Sequence, residues 1–144
     1  LAGARVGYAL AAQDLIGQFE KIRNHFGMNR AAQSAAEAAL NDQAWLQSVR
    51  DKVEASKQEI ARIAAENGLN TVESATNFIA IDCGRDGAFA QSVLTHLVQA
   101  GLFVRMPFVA PQNRCIRVSA GRPEDMDLLR CALPKALAAA ASAG

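Results

Sequence analysis

From Asp42 to Asn67 the chain runs without a single Gly or Pro, and its apolar residues recur at helical spacing. Leu46, Val49, Val53, Ile60 and Ile63 fall on one stripe. Arg50, Lys52, Glu54, Lys57, Glu59 and Arg62 occupy the opposite face. The spacing predicts one amphipathic helix of roughly seven turns. Asn41-Asp42 is a cap pair for its start, and Asn67-Gly68 closes it as a C-terminal cap. A helix this long in a chain of 144 residues is suited to bridging two substructures. The expected organisation is therefore residues 1–41, a connecting helix over residues 42–67, and residues 68–144.

Upstream of that helix, residues 5–9 read as a short buried strand after a turn at Gly3. Residues 13–23 carry Leu15, Ile16, Phe19 and Ile22 on one helical stripe. Gly27 interrupts the pattern, and residues 29–40, built largely of Ala, read as a second helix. Downstream of Gly68 the character changes. Residues 76–82 (TNFIAID) are β-branched and aromatic and read as a strand. Residues 88–99 read as a helix stopped by Gly101, residues 102–105 as a short strand, and residues 114–119 as another. Between the last two lies a loop holding Pro107 and Pro111. A final helix opens with Pro123 at its first position and Glu124, Asp125 and Asp127 in its first turns, with Pro134 expected to kink or shorten it. The order is a short strand, three helices, then β-α-β-β-α. The last part makes a compact α+β unit with a three- or four-stranded sheet and two helices.

Composition excludes several function classes. With 51% hydrophobic and 20% charged residues, wholesale disorder is ruled out. Fifteen basic against 14 acidic residues leave a net charge of +1, so no net pull toward nucleic acid or an anionic membrane is written into the chain. No run of about 18 apolar residues predicts a membrane span. Cys83, Cys115 and Cys131 form no CxxC pair, and His25 and His96 are the only two histidines. Neither a disulfide framework nor a metal site follows from that set, and a reducing, cytoplasmic setting is expected. The chain opens at Leu1 inside a motif-like string, the expectation being a fragment of something longer.

Among residues that carry chemistry, Arg117 stands out. Alternation along residues 114–119 turns Ile116 and Val118 to the core and Cys115, Arg117 and Ser119 the other way. An arginine inside an apolar strand has two readings. It snorkels to water at a sheet edge, or its planar fork grips a ligand carboxylate through two parallel hydrogen bonds. Arg5, entering a strand after Gly3, is suited to sit beside a bound phosphate, although turn arginines are common and no P-loop or G-x-G-x-x-G spacing surrounds it. Arg105 begins a loop on the same small sheet. In the loop around residues 24–30, His25 and Arg30 are candidate ligand contacts, and Asn29 equally reads as a helix cap. His96, near the apolar stripe of its helix, reads as structural or half-buried, and the three cysteines read as small hydrophobes. No Ser/His/Asp or Cys/His set emerges, and paired carboxylates are not evident.

The string LAGARVGYALA resembles the segment after the catalytic lysine in fold-type-I pyridoxal-phosphate aminotransferases, particularly the histidinol-phosphate aminotransferase group, where the pattern is close to S-K-x-x-x-L-A-G-x-R-x-G-Y. Thr76-Asn77-Phe78, Gly101-Leu102-Phe103-Val104-Arg105, Cys115-Ile116-Arg117-Val118-Ser119-Ala120-Gly121 and Pro123-Glu124 follow in the order of that family's small C-terminal domain. The resemblance covers essentially the whole chain. It implies an α/β fold in which residues 1–41 end the large cofactor-binding domain, 42–67 connect, and 68–144 form the small α+β domain. It further implies pyridoxal 5'-phosphate as cofactor and transamination between an amino acid or amino-phosphate and a 2-oxo acid, in a homodimer. Arg5 would bind the cofactor phosphate, Arg117 the substrate carboxylate, and Arg105 the substrate's distal group. The Schiff-base lysine is expected upstream of Leu1, since Lys21, Lys52, Lys57 and Lys135 match no such motif. Residues 25–30 depart from the Pro-Phe-Asn-Val type of string common in the group, so the amino donor and acceptor stay open. Two alternatives also stay open: a decarboxylase on the same scaffold, and a non-catalytic α+β interaction domain.

Overall fold

The computed structural model describes residues 1–142. Its contacts divide the chain into two compact units, Leu1–Ser48 and a second that begins at Val49.

In the first unit a single 3-10 turn, Ala2–Ala4, leads into irregular chain and then into α1 (Gln13–Ile22) and α2 (Arg30–Asn41). The strand expected over residues 5–9 is not formed. Arg5 has a φ of 55°, in the left-handed region that breaks an extended run. Tyr8 and Leu10 are exposed, and no described strand pairs with this segment. The turn chemistry of the following loop is as expected. The Asn24 Oδ1 accepts from the Phe26 N–H at 3.0 Å, and the Asn29 Oδ1 accepts from the Ala32 N–H at 2.7 Å, capping α2.

Helix α3 spans Gln43–Glu66. The Asp42 carboxylate caps it by accepting from the Trp45 N–H at 3.0 Å. At its other end Gly68 takes a φ of 71°, which only a residue without a Cβ adopts at no steric cost. There the Leu69 N–H reaches the Ala64 carbonyl at 2.9 Å and the Gly68 N–H the Ala65 carbonyl at 3.0 Å. Both bonds of a Schellman motif are thus present.

The second unit holds three antiparallel strands in the order β1-β2-β3: β1 (Asn70–Val72), β2 (Phe78–Asp82) and β3 (Cys115–Ser119). Helices α4 (Gly87–Gln99) and α5 (Pro123–Ser142) complete it. Register pairs Ile79 with Val118 and Ile81 with Ile116, so four β-branched side chains share one sheet face. Ile60 and Ile63 of α3, Val93 and Leu97 of α4, and Leu129 and Leu133 of α5 join them in one buried cluster. The opposite face carries the pairs Phe78–Ser119, Ala80–Arg117 and Asp82–Cys115.

Four expectations need correction. Strand β1 is not anticipated, because three residues with only Thr71 partly buried show no periodicity. The strand over residues 76–82 starts at Phe78, since the Ser74 hydroxyl takes the Phe78 carbonyl at 2.6 Å before the ladder begins. Residues 102–105 make no strand but a single bridge, Arg105 to Arg117. Pro134 leaves α5 unbroken. Leu129, Leu133, Ala136 and Ala140 bury that helix on both sides of it, and this packing outweighs the one lost backbone bond.

Charged side chains then tie α3 to α5. Arg130 pairs with both Glu59 and Glu66, and Glu59 also pairs with Arg62. The Arg62 hydrogen bond, more than any other influence, holds the Glu59 carboxyl below its ordinary range. At the start of α5 the Asp125 carboxylate accepts from the Arg122 N–H at 2.8 Å, half of a capping box. A Cβ on Gly121 would stand 2.9 Å from that Asp125 oxygen, so a larger residue there would push the cap aside.

Ile81 is fully buried at the centre of the sheet, whereas Val72 on β1 is 55% exposed. Ile81→Ala should cost about 2–5 kcal/mol of unfolding free energy. Val72→Ala should stay within about 0.5 kcal/mol. Urea unfolding followed by circular dichroism checks both; equal effects would contradict the assigned sheet faces.

Candidate functional site

The bridge between Arg105 and Arg117 builds the site. The Arg117 N–H donates to the Arg105 carbonyl at 2.6 Å, and the Arg105 N–H donates back to the Arg117 carbonyl at 3.2 Å. Residues that exchange both bonds across an antiparallel pair point their side chains to the same face, with Cα atoms about 5.5 Å apart. The two arginine side chains therefore leave the backbone on the same face. Like charges placed directly opposite repel one another, and Arg105 is exposed to water while Arg117 is half-buried.

Neither arginine takes part in an ion pair among the described residues; the recorded pairs use Arg23, Lys57, Arg62, Arg114, Arg122 and Arg130. Aromatic rings lie beneath both instead. The Arg117 Cζ stands 4.6 Å from the centroid of the Phe78 ring, and the Arg105 Cζ 5.6 Å from that of Phe103. Both arginines line a cleft of about 670 Å³ with Gln91, Leu94, Phe103, Met106 and Phe108, and among the described residues no carboxylate lines it. A second groove, of about 510 Å³ between α3 and the start of α5, differs in kind. Its wall includes Glu59 and Asp127 as well as Lys52, Arg62 and Arg122, so acids already face its bases. The first cleft is the one with cationic valence to spare.

Arg5 lies in the N-terminal unit, exposed, with its backbone in the left-handed conformation. For a residue with a Cβ that conformation is strained, and such strain clusters at ligand-binding turns. His25 and Arg30 are both exposed, while in the same loop Asn24 forms the turn and Asn29 caps α2. His96 is half-buried on α4, as read from the sequence. Phe78, neither charged nor nucleophilic, is not marked as a site residue by its type. Its signal is the β-sheet register, since a residue paired with Ser119 is the diagonal neighbour of Arg117.

Near the other end of β3, Arg114 donates to Asp82 at 2.8 Å. Burial works to raise the Asp82 carboxyl, but the Gly84 N–H and the Arg114 guanidinium outweigh it and hold the group below its ordinary range. Alternation turns Cys115 away from the core as expected, yet it is buried all the same, as is Cys83. Burial pushes the Cys83 thiol up to about 11, and burial, followed by the nearby Asp82 charge, pushes Cys115 upward. Both remain thiols at neutral pH and are poor nucleophiles, in keeping with their reading as small hydrophobes. Among the described residues no group of His, Cys, Asp and Glu is disposed to hold a metal ion.

Against known proteins, the model of the family "Aminotransferase class I and II" matches residues 1–133. The chain belongs to that family. Among its relatives, histidinol-phosphate aminotransferase 1 of Cupriavidus pinatubonensis is 35% identical over 137 residues, which is 95% of this chain and 36% of the relative. Histidinol-phosphate aminotransferase of Bacillus pumilus is 38% identical over 124 residues, 86% of this chain and 33% of the relative. Among solved structures, the histidinol-phosphate aminotransferase of Sinorhizobium meliloti in complex with pyridoxal-5'-phosphate superposes with a TM-score of 0.92 at 50% identity, covering 96% of this chain and 38% of that one. This chain thus spans about a third of the length of the proteins it matches.

Iodoacetamide at pH 8 should label Cys131, which is exposed, ahead of Cys83 and Cys115. Labelling of Cys83 should accelerate only as pH climbs toward its raised value of about 11 or when the chain is unfolded. Peptide mapping by mass spectrometry reads the order, and early modification of Cys83 would contradict the packing described.

Proposed function

We propose that the complete protein is a pyridoxal-phosphate-dependent aminotransferase of the histidinol-phosphate type. In this reading residues 1–41 end its large domain, residues 42–67 connect, and residues 68–144 are its small C-terminal domain. The observation that carries it is the paired Arg105 and Arg117, two cations on one face beside a cleft without a carboxylate. The chemistry of that pair suits either of two anions. A guanidinium fork binds carboxylate and phosphate with the same parallel hydrogen bonds, so one site serves an amino acid in one half of the reaction and an amino-phosphate in the other. The relatives' names point the same way.

Arg117 is the residue assigned to the substrate's acid group, and Arg105 to its distal group. Their work is binding and orientation. A substrate held at its acid group has its amine and adjacent C–H bond in a fixed attitude, and that pre-organisation lowers the barrier to proton removal. Arg5 is assigned to the cofactor's phosphate. Its donor set fits, being a permanently charged fork presented on an exposed turn just after Gly3. When bound, the cofactor supplies an electron sink for the carbanion formed at the substrate carbon. A homodimer is the expected assembly.

In the complete enzyme, Arg117→Lys should raise KM for an amino-acid substrate by about 30-fold or more. That is the loss of about 2 kcal/mol expected when a bidentate charged pair is broken. Steady-state kinetics read the effect, and an unchanged KM would refute the assignment. Arg5→Ala should weaken cofactor retention by roughly tenfold, of the order of one charge-assisted hydrogen bond; equilibrium dialysis measures it.

A further inference from the structure

We infer that Phe78 is a positioning residue for Arg117, holding its guanidinium flat on the ring so that the N–H edges stay free for an anion. The inference rests on the reading of Arg117 as an anion-binding residue and adds to it the group that aims it.

The register makes the contact possible. Phe78 pairs with Ser119 and Ala80 pairs with Arg117, so the ring lies diagonally across from the arginine on the same sheet face. On the β2 side, the residue directly opposite Arg117 is Ala80, which offers only a methyl. The arginine stem is free to lie over toward the ring, where its Cζ rests 4.6 Å from the centroid, within the range of a cation–π contact. The ring itself is held at its root. The Phe78 carbonyl accepts from the Ser74 hydroxyl at 2.6 Å and from Thr76 at 3.3 Å. One residue earlier, the Asn77 carbonyl accepts from the Ala120 N–H at 2.8 Å. Phe78 is half-buried, so it has a defined place and its partner inherits one.

An aromatic support differs from an acidic one in what it leaves unused. A carboxylate would hold Arg117 by occupying its N–H donors and cancelling its charge. A ring attracts the flat face of the guanidinium and competes for none of its five donors. Stacking by itself does not mark a site, since Arg85 lies 4.5 Å from the Phe89 ring as well. Arg117 is set apart by its neighbours, a second guanidinium across the bridge and a cleft that contains no acid. The support under Arg105 is weaker, because Phe103 is 78% exposed and its ring stands 5.6 Å away.

The test uses the complete, cofactor-loaded enzyme carrying Phe78→Leu, Phe78→Met, Phe78→Tyr or Arg117→Ala. The dissociation constant for succinate, a non-reacting dicarboxylate, is read by calorimetry, and KM and kcat for an amino acid by steady-state kinetics. Leu and Met keep the apolar bulk and lose the π face. Each should raise both the succinate constant and KM by roughly three- to tenfold, the scale of a cation–π contact, with kcat within about twofold. Tyr restores the ring and should return both constants to within about twofold of wild type. A merely structural role would lower kcat as well as raise KM in the Leu and Met variants. If Arg117→Ala weakens succinate binding while Leu and Met leave it unchanged, the positioning role is overturned and the reading of Arg117 stands. If Arg117→Ala leaves succinate binding unchanged, the reading of Arg117 itself is overturned.

Discussion

Arg105 and Arg117 exchange both of their backbone hydrogen bonds, and this closed ring decides which side chains can meet. It aligns two permanent charges that share a cleft with no acid among its lining residues. The sheet register supports that placement. The β2–β3 register puts Ile79, Ile81, Ile116 and Val118 on the helix-covered face and leaves Phe78, Ala80 and Arg117 on the other. A slip of one residue would send Arg117 into the core and Val118 out of it. The four buried β-branched residues are therefore what keep the arginine facing outward, because burying its charge unpaired would be far more costly than any local rearrangement.

The same unit shows how a short sheet is held by a shared apolar core and by charged pairs. Helices α3, α4 and α5 each contribute aliphatic side chains to the single cluster beneath the sheet. Outside that cluster, Arg130 joins Glu59 and Glu66 and so ties α5 to α3. A network of this kind holds geometry better than an isolated surface pair does, since each charge has more than one partner. Cap chemistry sets the ends of the elements: Asp42 for α3, Asp86 for α4, and Asp125 reaching back at α5.

Much of the helical architecture is legible in the sequence, because its signals are local. Asn29, Asp42 and Gly68 mark helix ends within a residue or two of where they fall. The strands are harder to read. β1 exists only because Thr71 pairs with Ile81 on a strand already in place, and nothing in Asn70-Thr71-Val72 announces it. The string at residues 5–9 looks like a strand by composition, but a positive φ at Arg5 and the lack of any described partner strand leave it irregular. Pro134 reads as a breaker, and packing on both sides overrules it. Arg5, Arg105 and Arg117 stand out as candidates by residue type and resemblance. Phe78 does not, because a phenylalanine opening a strand reads as core until the register is known.

What the sequence by itself determined is the family and the helices with their caps, and it marked Arg5, Arg105 and Arg117 as candidates by residue type and resemblance. Those follow from residue type and from spacing over a turn or two, where physical chemistry acts on neighbours in the chain. Only the tertiary structure decided that Arg105 stands opposite Arg117, that Phe78 lies beneath it, and that no acid closes their cleft. Twelve residues of chain separate the first pair and thirty-nine the second. Contacts at such distances are selected by hydrogen-bond register and by the burial of a shared core, neither of which any short stretch of sequence contains.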